Sequence, residues 1–248
     1  MKVSIITVCY NSENTIESCI RSVLEQDYKN VEYIIVDGKS IDNTISIVEK
    51  YTGRVSKFIS EKDDGMYFAI NKGLKLASGD VIGILNSDDF FYDDTIVSKI
   101  VSEFQSKQVD AVYGDLQYVS KIDVTKVIRN WKSKSYNSKL FLRGWMPPHP
   151  TFFVRRHLYE KFGLFNTLFS ISADYELMLR FLYRNKISSS YIPEILVKMR
   201  VGGVSNVNYT SRLKANREDR LAWKINGLKA APLTFIMKPL SKLKQFLR

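Results

Sequence analysis

The sequence predicts an α/β fold with a mostly parallel central sheet flanked by helices, and two observations carry that expectation. Short apolar runs rich in β-branched residues alternate with amphipathic helical stretches through the first hundred residues. Parallel strands need a crossover, normally a helix, so this alternation implies a doubly wound sheet. Polar residues also follow the apolar runs directly, in Thr7-Val8-Cys9-Tyr10-Asn11 and again in Asn86-Ser87-Asp88-Asp89. In open α/β sheets a ligand crevice forms at the carboxyl ends of the strands, where such residues stand.

Taken in order, residues 3–8 form the first strand. A helix over 15–26 follows, with Ile16, Ile20, Val23 and Leu24 on one face and Asn14 with Glu17 resembling a capping box. Residues 32–36 are a β-branched strand running into Asp37-Gly38-Lys39-Ser40; a helix over 42–51 and a short strand over 57–60 come next. Met66, Ile70 and Leu74, spaced four apart, predict a helix over 66–77 that Ser78-Gly79-Asp80 ends. Residues 81–85 are the next strand, and Asp94 caps a helix carrying Ile96, Val97, Ile100, Val101 and Phe104. Beyond lie a strand over 111–114, a polar ribbon around 116–130, an apolar stretch over 151–154, a helix over 174–184 and a last strand over 191–199 interrupted by Pro193. The pattern weakens at 204–208, which divides a main domain (1–207) from a basic, helical C-terminal extension (208–248).

A chain of 248 residues can bury a substantial core, and no apolar run approaches the roughly 20 residues needed to span a bilayer. The first residues do not read as a secretory signal. Cys9 and Cys19 fit buried free thiols and a reducing cytoplasm. The net charge of +11 is uneven: residues 209–248 hold ten Lys or Arg against Glu218 and Asp219, a balance of +8, which leaves +3 for the rest. That distribution argues against a nucleic-acid groove across the body and for a tail that meets an anionic surface. In the tail, Pro239 can start a short helix with Leu240, Leu243 and Leu247 on one face and Lys242, Lys244 and Arg248 supplying charge, suited to the inner face of a membrane. A terminal helix packed on the main domain is the alternative.

Several residues carry candidate chemistry. Asp88 follows an apolar strand and suits a hard divalent cation, Mn2+ or Mg2+, that in turn holds a diphosphate; a turn or capping aspartate is the alternative. Asp37 can accept from a nucleobase or a ribose hydroxyl, or can cap a helix. Asp174 opens a helix, where the dipole favours it, but it can also act as a general base if it points into the crevice. His149, in Pro147-Pro148-His149-Pro150, can touch a phosphate or line an acceptor site together with Trp145, or be structural in a proline turn. His157 reads as a surface residue. Arg200 with Gly202 and Gly203 can form a loop over a diphosphate. No P-loop, dinucleotide fingerprint, Cys/His metal cluster or nucleophile elbow is present.

Over roughly residues 1–205 the chain resembles the family 2 glycosyltransferases, inverting enzymes of the GT-A type. The matching stretches are residues 6–11, Val36-Asp37-Gly38 with Ser40 and Asp42, Asp63-Asp64-Gly65-Met66-Tyr67 with residues 69–73, Gly79-Asp80 through residues 85–89, and Ala173-Asp174-Tyr175-Glu176. The resemblance implies that Thr7, Tyr10, Asn11 and Asp37 hold the nucleotide, and that Asp64 and Lys72 contact the donor. It further implies that Asn86 and Ser87 line the donor site, Asp88 binds the metal and Asp174 is the catalytic base. Asn86 stands where many relatives carry the first aspartate of the metal motif. The implied activity is transfer of one sugar from a nucleotide diphosphate sugar to a glycan acceptor, lipid-diphosphate-linked, in bacterial surface polysaccharide such as O-antigen or capsule. A polyprenyl-phosphate sugar synthase of the same fold and a basic nucleic-acid-binding protein are the rival readings.

Overall fold

The computed structural model describes residues 1–202, 209–235 and 237–238. Among them nine strands form one sheet, ordered β3-β2-β1-β4-β8-β6-β9-β5, with β7 paired to β6. The first half is parallel: β1 (Val3–Cys9), β2 (Val31–Asp37), β3 (Lys57–Ser60) and β4 (Val81–Ile84) lie side by side. Helices α1 (Ile16–Leu24), α2 (Thr44–Glu49) and α3 (Met66–Leu76) connect them. The second half is mixed. After β5 (Asp89–Phe91) and α4 (Ile96–Lys107) come β6 (Ala111–Val119), β7 (Val127–Trp131), α5 (Lys139–Leu142), β8 (Phe153–Arg155), α6 (Arg156–Phe162), α7 (Ala173–Met178), β9 (Ser189–Arg200) and α8 (Tyr209–Ile225). There β8 runs antiparallel to β4 and β6, and β9 runs parallel to β6 and antiparallel to β5.

Every residue of β1 is buried, because a parallel strand is covered on both faces. One face packs on Ile16, Ile20 and Val23 of α1, the other on Ile70 and Leu74 of α3. Gly73 lets α3 lie close: a Cβ there would sit 2.4 Å from Ile6 Cγ2. The expected capping box at Asn14 and Glu17 does not form; α1 starts at Ile16, and Glu17 accepts from Tyr51 Oη at 2.8 Å instead. Likewise Asp93, not Asp94, ties the entry to α4, accepting from Thr95 N and Oγ1. Cys9 and Cys19 are free and buried, and burial pushes both thiols up, so they are poor nucleophiles.

The described part of the C-terminal extension shares the main core. Trp223 is 2% exposed and donates Nε1–H to Tyr175 Oη at 2.8 Å, Thr234 donates to Leu142 O, and Lys238 pairs with Asp219 at 2.7 Å. The boundary expected at 207/208 therefore does not separate two independently packed bodies among the described residues. Residues 239–248, with the Leu240/Leu243/Leu247 stripe, lie outside the described residues, as does Gly203. No helix among the described residues is long and apolar enough to cross a membrane.

Candidate active site

Parallel register brings the ends of β1, β2 and β4 to one edge, with Cys9 opposite Asp37 and Ile6 opposite Ile84. The loops that follow are stitched together. Asn11, at φ 48°, donates its N–H to Ser40 Oγ and accepts from Ile41 N, a left-handed position that Asn tolerates. Ser12 Oγ and Ser87 Oγ lie 2.9 Å apart, joining the first loop to the Asn86–Asp89 turn. Tyr10 stands 61% exposed above this edge, its ring over Gly38, where a Cβ would sit 3.4 Å from Tyr10 Cδ2. It is the aromatic surface the edge offers to a planar ligand.

Two residues expected to hold the nucleotide face inward. Thr7 is fully buried, and its Oγ1 accepts from Tyr33 Oη at 3.1 Å. Asp37 is also fully buried: it accepts from Ser40 N, Ser40 Oγ and Ser60 Oγ, with the Cys9 thiol 3.6 Å away. Neither offers an oxygen to a ligand in this arrangement; Asp37 instead fixes the loop that presents Asn11 and Tyr10. Asp64 is exposed, whereas Lys72 is held by Glu61 and Asp63, each at 2.7 Å.

Asp88 and Asp89 follow β4 as expected, and β9 sets what surrounds them. Asp89 pairs with Met199, so Arg200 reaches the Asp88 turn: its guanidinium donates to Asp88 O at 2.7 Å and Ser18 Oγ at 2.9 Å, over the Phe90 ring. Arg200 is 7% exposed and ends a strand. Arg200 thus ends β9 rather than standing in the loop expected after it, and its guanidinium supports the acidic turn from within. Burial pushes the Asp88 carboxyl above its ordinary value, opposed by Arg200, His149 and Lys121. Asp89 is pushed well above by burial and then by Asp88; Asn86 Nδ2 donates to its Oδ2 at 3.3 Å, while Oδ1 is buried with no hydrogen-bond partner.

The third component comes from α7. Asp174 lies in its first turn; Leu177 and Met178 of α7, and Phe181 and Leu182 in the turns that continue it, are buried. Asp174 is one-fifth exposed, with Oδ2 3.2 Å from His149 Nδ1. His149 is also close enough to Asp88 to act on its charge, and buried Tyr118 feels both Asp89 and Asp174. Asp88, Asp89, His149 and Asp174 thus stand on the same side of the sheet edge, Asp174 paired with His149 and Asp88 next to Asp89. Trp145 packs on Tyr136 and edge-on to Tyr113 and Phe141, forming an aromatic wall in the loop before His149. His157 is exposed on α6. Sequence reasoning missed Tyr118 and Arg129, whose guanidinium lies 3.8 Å over the Tyr118 ring; both stand in the polar ribbon, where only a basic residue spaced eleven from a tyrosine hinted at them.

The family model described as glycosyl transferase family 2 matches residues 4–168. An uncharacterised glycosyltransferase of Rickettsia typhi is 30% identical over 214 residues, spanning 83% of this chain and 66% of that relative's length. A PGL/p-HBAD biosynthesis glycosyltransferase of Mycobacterium bovis BCG is 26% identical over 208 residues, spanning 82% of this chain and 78% of that protein. Among solved structures, S. aureus TarS in complex with UDP-GlcNAc gives a TM-score of 0.69 at 19% identity, covering 100% of this chain and 72% of that one. A mannosyltransferase from Pyrobaculum calidifontis in complex with GDP-Man and Mn2+ gives 0.66 at 19% identity, covering 99% and 69%.

Proposed function

The chain belongs to glycosyl transferase family 2, and on that premise we propose that it transfers one sugar from a nucleoside-diphosphate sugar to a hydroxyl of a glycan acceptor, with inversion at the anomeric carbon. The observation that carries this reading is the Asp174–His149 pair standing within electrostatic reach of the Asp88 turn. Asp174 takes the proton of the acceptor hydroxyl as its oxygen bonds to the anomeric carbon; the bond from that carbon to the diphosphate oxygen breaks, and the electron pair leaves with the diphosphate. No covalent enzyme intermediate is needed, in keeping with the lack of a nucleophile motif and the inert thiols.

A divalent cation fits the Asp88 turn. Its carboxylate is partly buried and Asp89 Oδ1 is buried without a donor, while Mg2+ and Mn2+ bind through one or two carboxylates plus substrate phosphates. Among the described residues no cluster of three His, Cys, Asp or Glu completes a protein-only site, so the donor's phosphates would supply the remaining ligands. When bound, the cation neutralises charge on the departing diphosphate. The donor reading also draws on the neighbours solved with UDP-GlcNAc and with GDP-Man and Mn2+. Asn11, Tyr10 and Asp64 are the exposed residues to meet the nucleotide, Asn86 and Ser87 line its diphosphate end, and the Trp145 wall with His149 receives the acceptor. A panel of nucleotide sugars, read by nucleoside diphosphate released with Mn2+ and with chelator, tests this: one donor should be turned over in a metal-dependent way, and metal-independent release would reject the cation's part.

The acceptor we favour is a lipid-diphosphate-linked glycan for surface polysaccharide, reached from the inner face of the cytoplasmic membrane. Its support is the +8 balance after residue 208 and the exposed Leu213, Leu221 and Ile225 beside Lys224 on α8. Removing residues 239–248 should weaken sedimentation with anionic vesicles while sparing donor turnover, and higher salt should weaken the full chain's sedimentation and narrow the difference between the two. A cut at 232 would be uninformative, since it also removes the Thr234 and Lys238 contacts. Equal sedimentation of truncated and full chains would reject the tail's role.

A further inference from the structure

Asp174 sits on the first turn of α7, and the turn just before it is held by a side chain from α8. The Glu218 carboxylate accepts from three successive backbone N–H groups, those of Ser170 (3.1 Å), Ile171 (2.9 Å) and Ser172 (2.8 Å), and from the Ser170 hydroxyl (2.8 Å). Burial alone would raise Glu218, but these donors outweigh it and hold the carboxyl below its ordinary value. Ser172, at the start of α7, makes no side-chain cap of its own and donates instead to Ala215 O on α8 at 3.4 Å. Tyr67 Oη of α3 holds the same turn through Ile171 O at 2.8 Å. The residues that follow Asp174 are bound to α8 and the residue after it as well: Trp223 Nε1 donates to Tyr175 Oη, and Asn226 Nδ2 to Glu176 Oε1 at 2.9 Å.

A cap needs one or two hydrogen bonds. Three N–H bonds to one carboxylate, with a fourth from the Ser170 hydroxyl, fix three consecutive peptide planes, and so fix where the next helical turn begins. We propose that Glu218 is a positioning residue for the active site: by clamping residues 170–172 it sets the place of Asp174 against His149. Helix α8, beyond the stretch that the family model matches, is then a working part of the catalytic centre. The proposal rests on the reading of Asp174 as the base. The clamp acts through geometry, so its loss should slow the proton-transfer step and leave donor binding alone.

Glu218→Gln keeps the shape, removes the charge and turns one accepting oxygen into a donor facing N–H groups. With the nucleotide sugar that the parent turns over, kcat should fall by about tenfold or more while donor KM stays within about twofold, the pattern of a misplaced catalytic group. In an Asp174→Asn background the same change should cost nothing further, because its route is already cut. An equal cost in both backgrounds, or parent-like turnover of Glu218→Gln, overturns the proposal. A readout free of turnover comes from the His149 imidazole resonances, with the exposed His157 assigned by His157→Gln. At one fixed pH, Glu218→Gln should move them toward their positions in Asp174→Asn; resonances that stay at the parent positions count against the clamp. Should Asp174→Asn itself keep full turnover, the base reading fails, and these resonances still judge the clamp separately. Tyr67→Phe frees the Ile171 carbonyl and should shift the same signals by less; it replaces Glu218→Gln if that variant does not fold, and unmoved signals there are equally adverse.

Discussion

Asp174→Asn should bind the nucleotide donor within about twofold of the parent yet lose transfer by about a hundredfold or more, the usual contribution of a general base. The substitution keeps the side chain's size, and the helix dipole gives the lost charge only about 0.3–1 kcal/mol of support. The turn before α7 is held by Glu218 and Tyr67, and the helix itself by Tyr175, Leu177 and Met178 in the core. The lost function is proton acceptance, since an amide cannot take the hydroxyl proton at neutral pH. Unchanged melting temperature with lost turnover is the expected pair of results. Near-parent turnover would reduce Asp174 to a carboxylate that merely favours a helix terminus.

Asp88→Ala should erase the metal-dependent part of donor affinity. Outer partners of a bound metal typically cost about 10–100-fold in metal affinity when removed, so the liganding carboxylate should cost at least that. The turn should survive, because Arg200 holds it through the Asp88 main-chain oxygen and not through the carboxylate. Stability should not fall, since burial already disfavours the Asp88 charge. Titrating nucleoside diphosphate with and without Mn2+ reads the effect. Equal metal stimulation in variant and parent would remove Asp88 from the site.

The parallel half of the fold was legible because each element there advertises itself. Residues 57–60 carry a strand where one is expected, and Met66, Ile70 and Leu74 set α3 almost to its ends. In the second half the elements are too short to show a period: β5 has three residues, α5 four and β8 three. Asp88, Asp174 and His149 were legible as site candidates, since a polar residue just past an apolar run or in a first helical turn stands at an element end. Which way a side chain faces is decided by packing, which the pattern of residue types does not record. Thr7 and Asp37 stand at strand ends like Tyr10, but Tyr33, Ser40 and Ser60 draw them inward. Arg200 looked like a loop residue beside glycines; nine pairings between β6 and β9 carry the strand through it. Glu218 was counted only as a charge in a basic tail. Its partners are backbone N–H groups, which leave no trace in side-chain pattern.

The central claim is a division of labour at one sheet edge: the Asp88 turn holds the donor, and Asp174 with His149 activates the acceptor. Side-by-side titration of nucleoside diphosphate in Mn2+ onto parent, Asp88→Ala and Asp174→Asn tests it most directly. The account predicts that Asp174→Asn binds like the parent while Asp88→Ala falls to the metal-free level. Loss of binding in Asp174→Asn, or its full retention in Asp88→Ala, would contradict it.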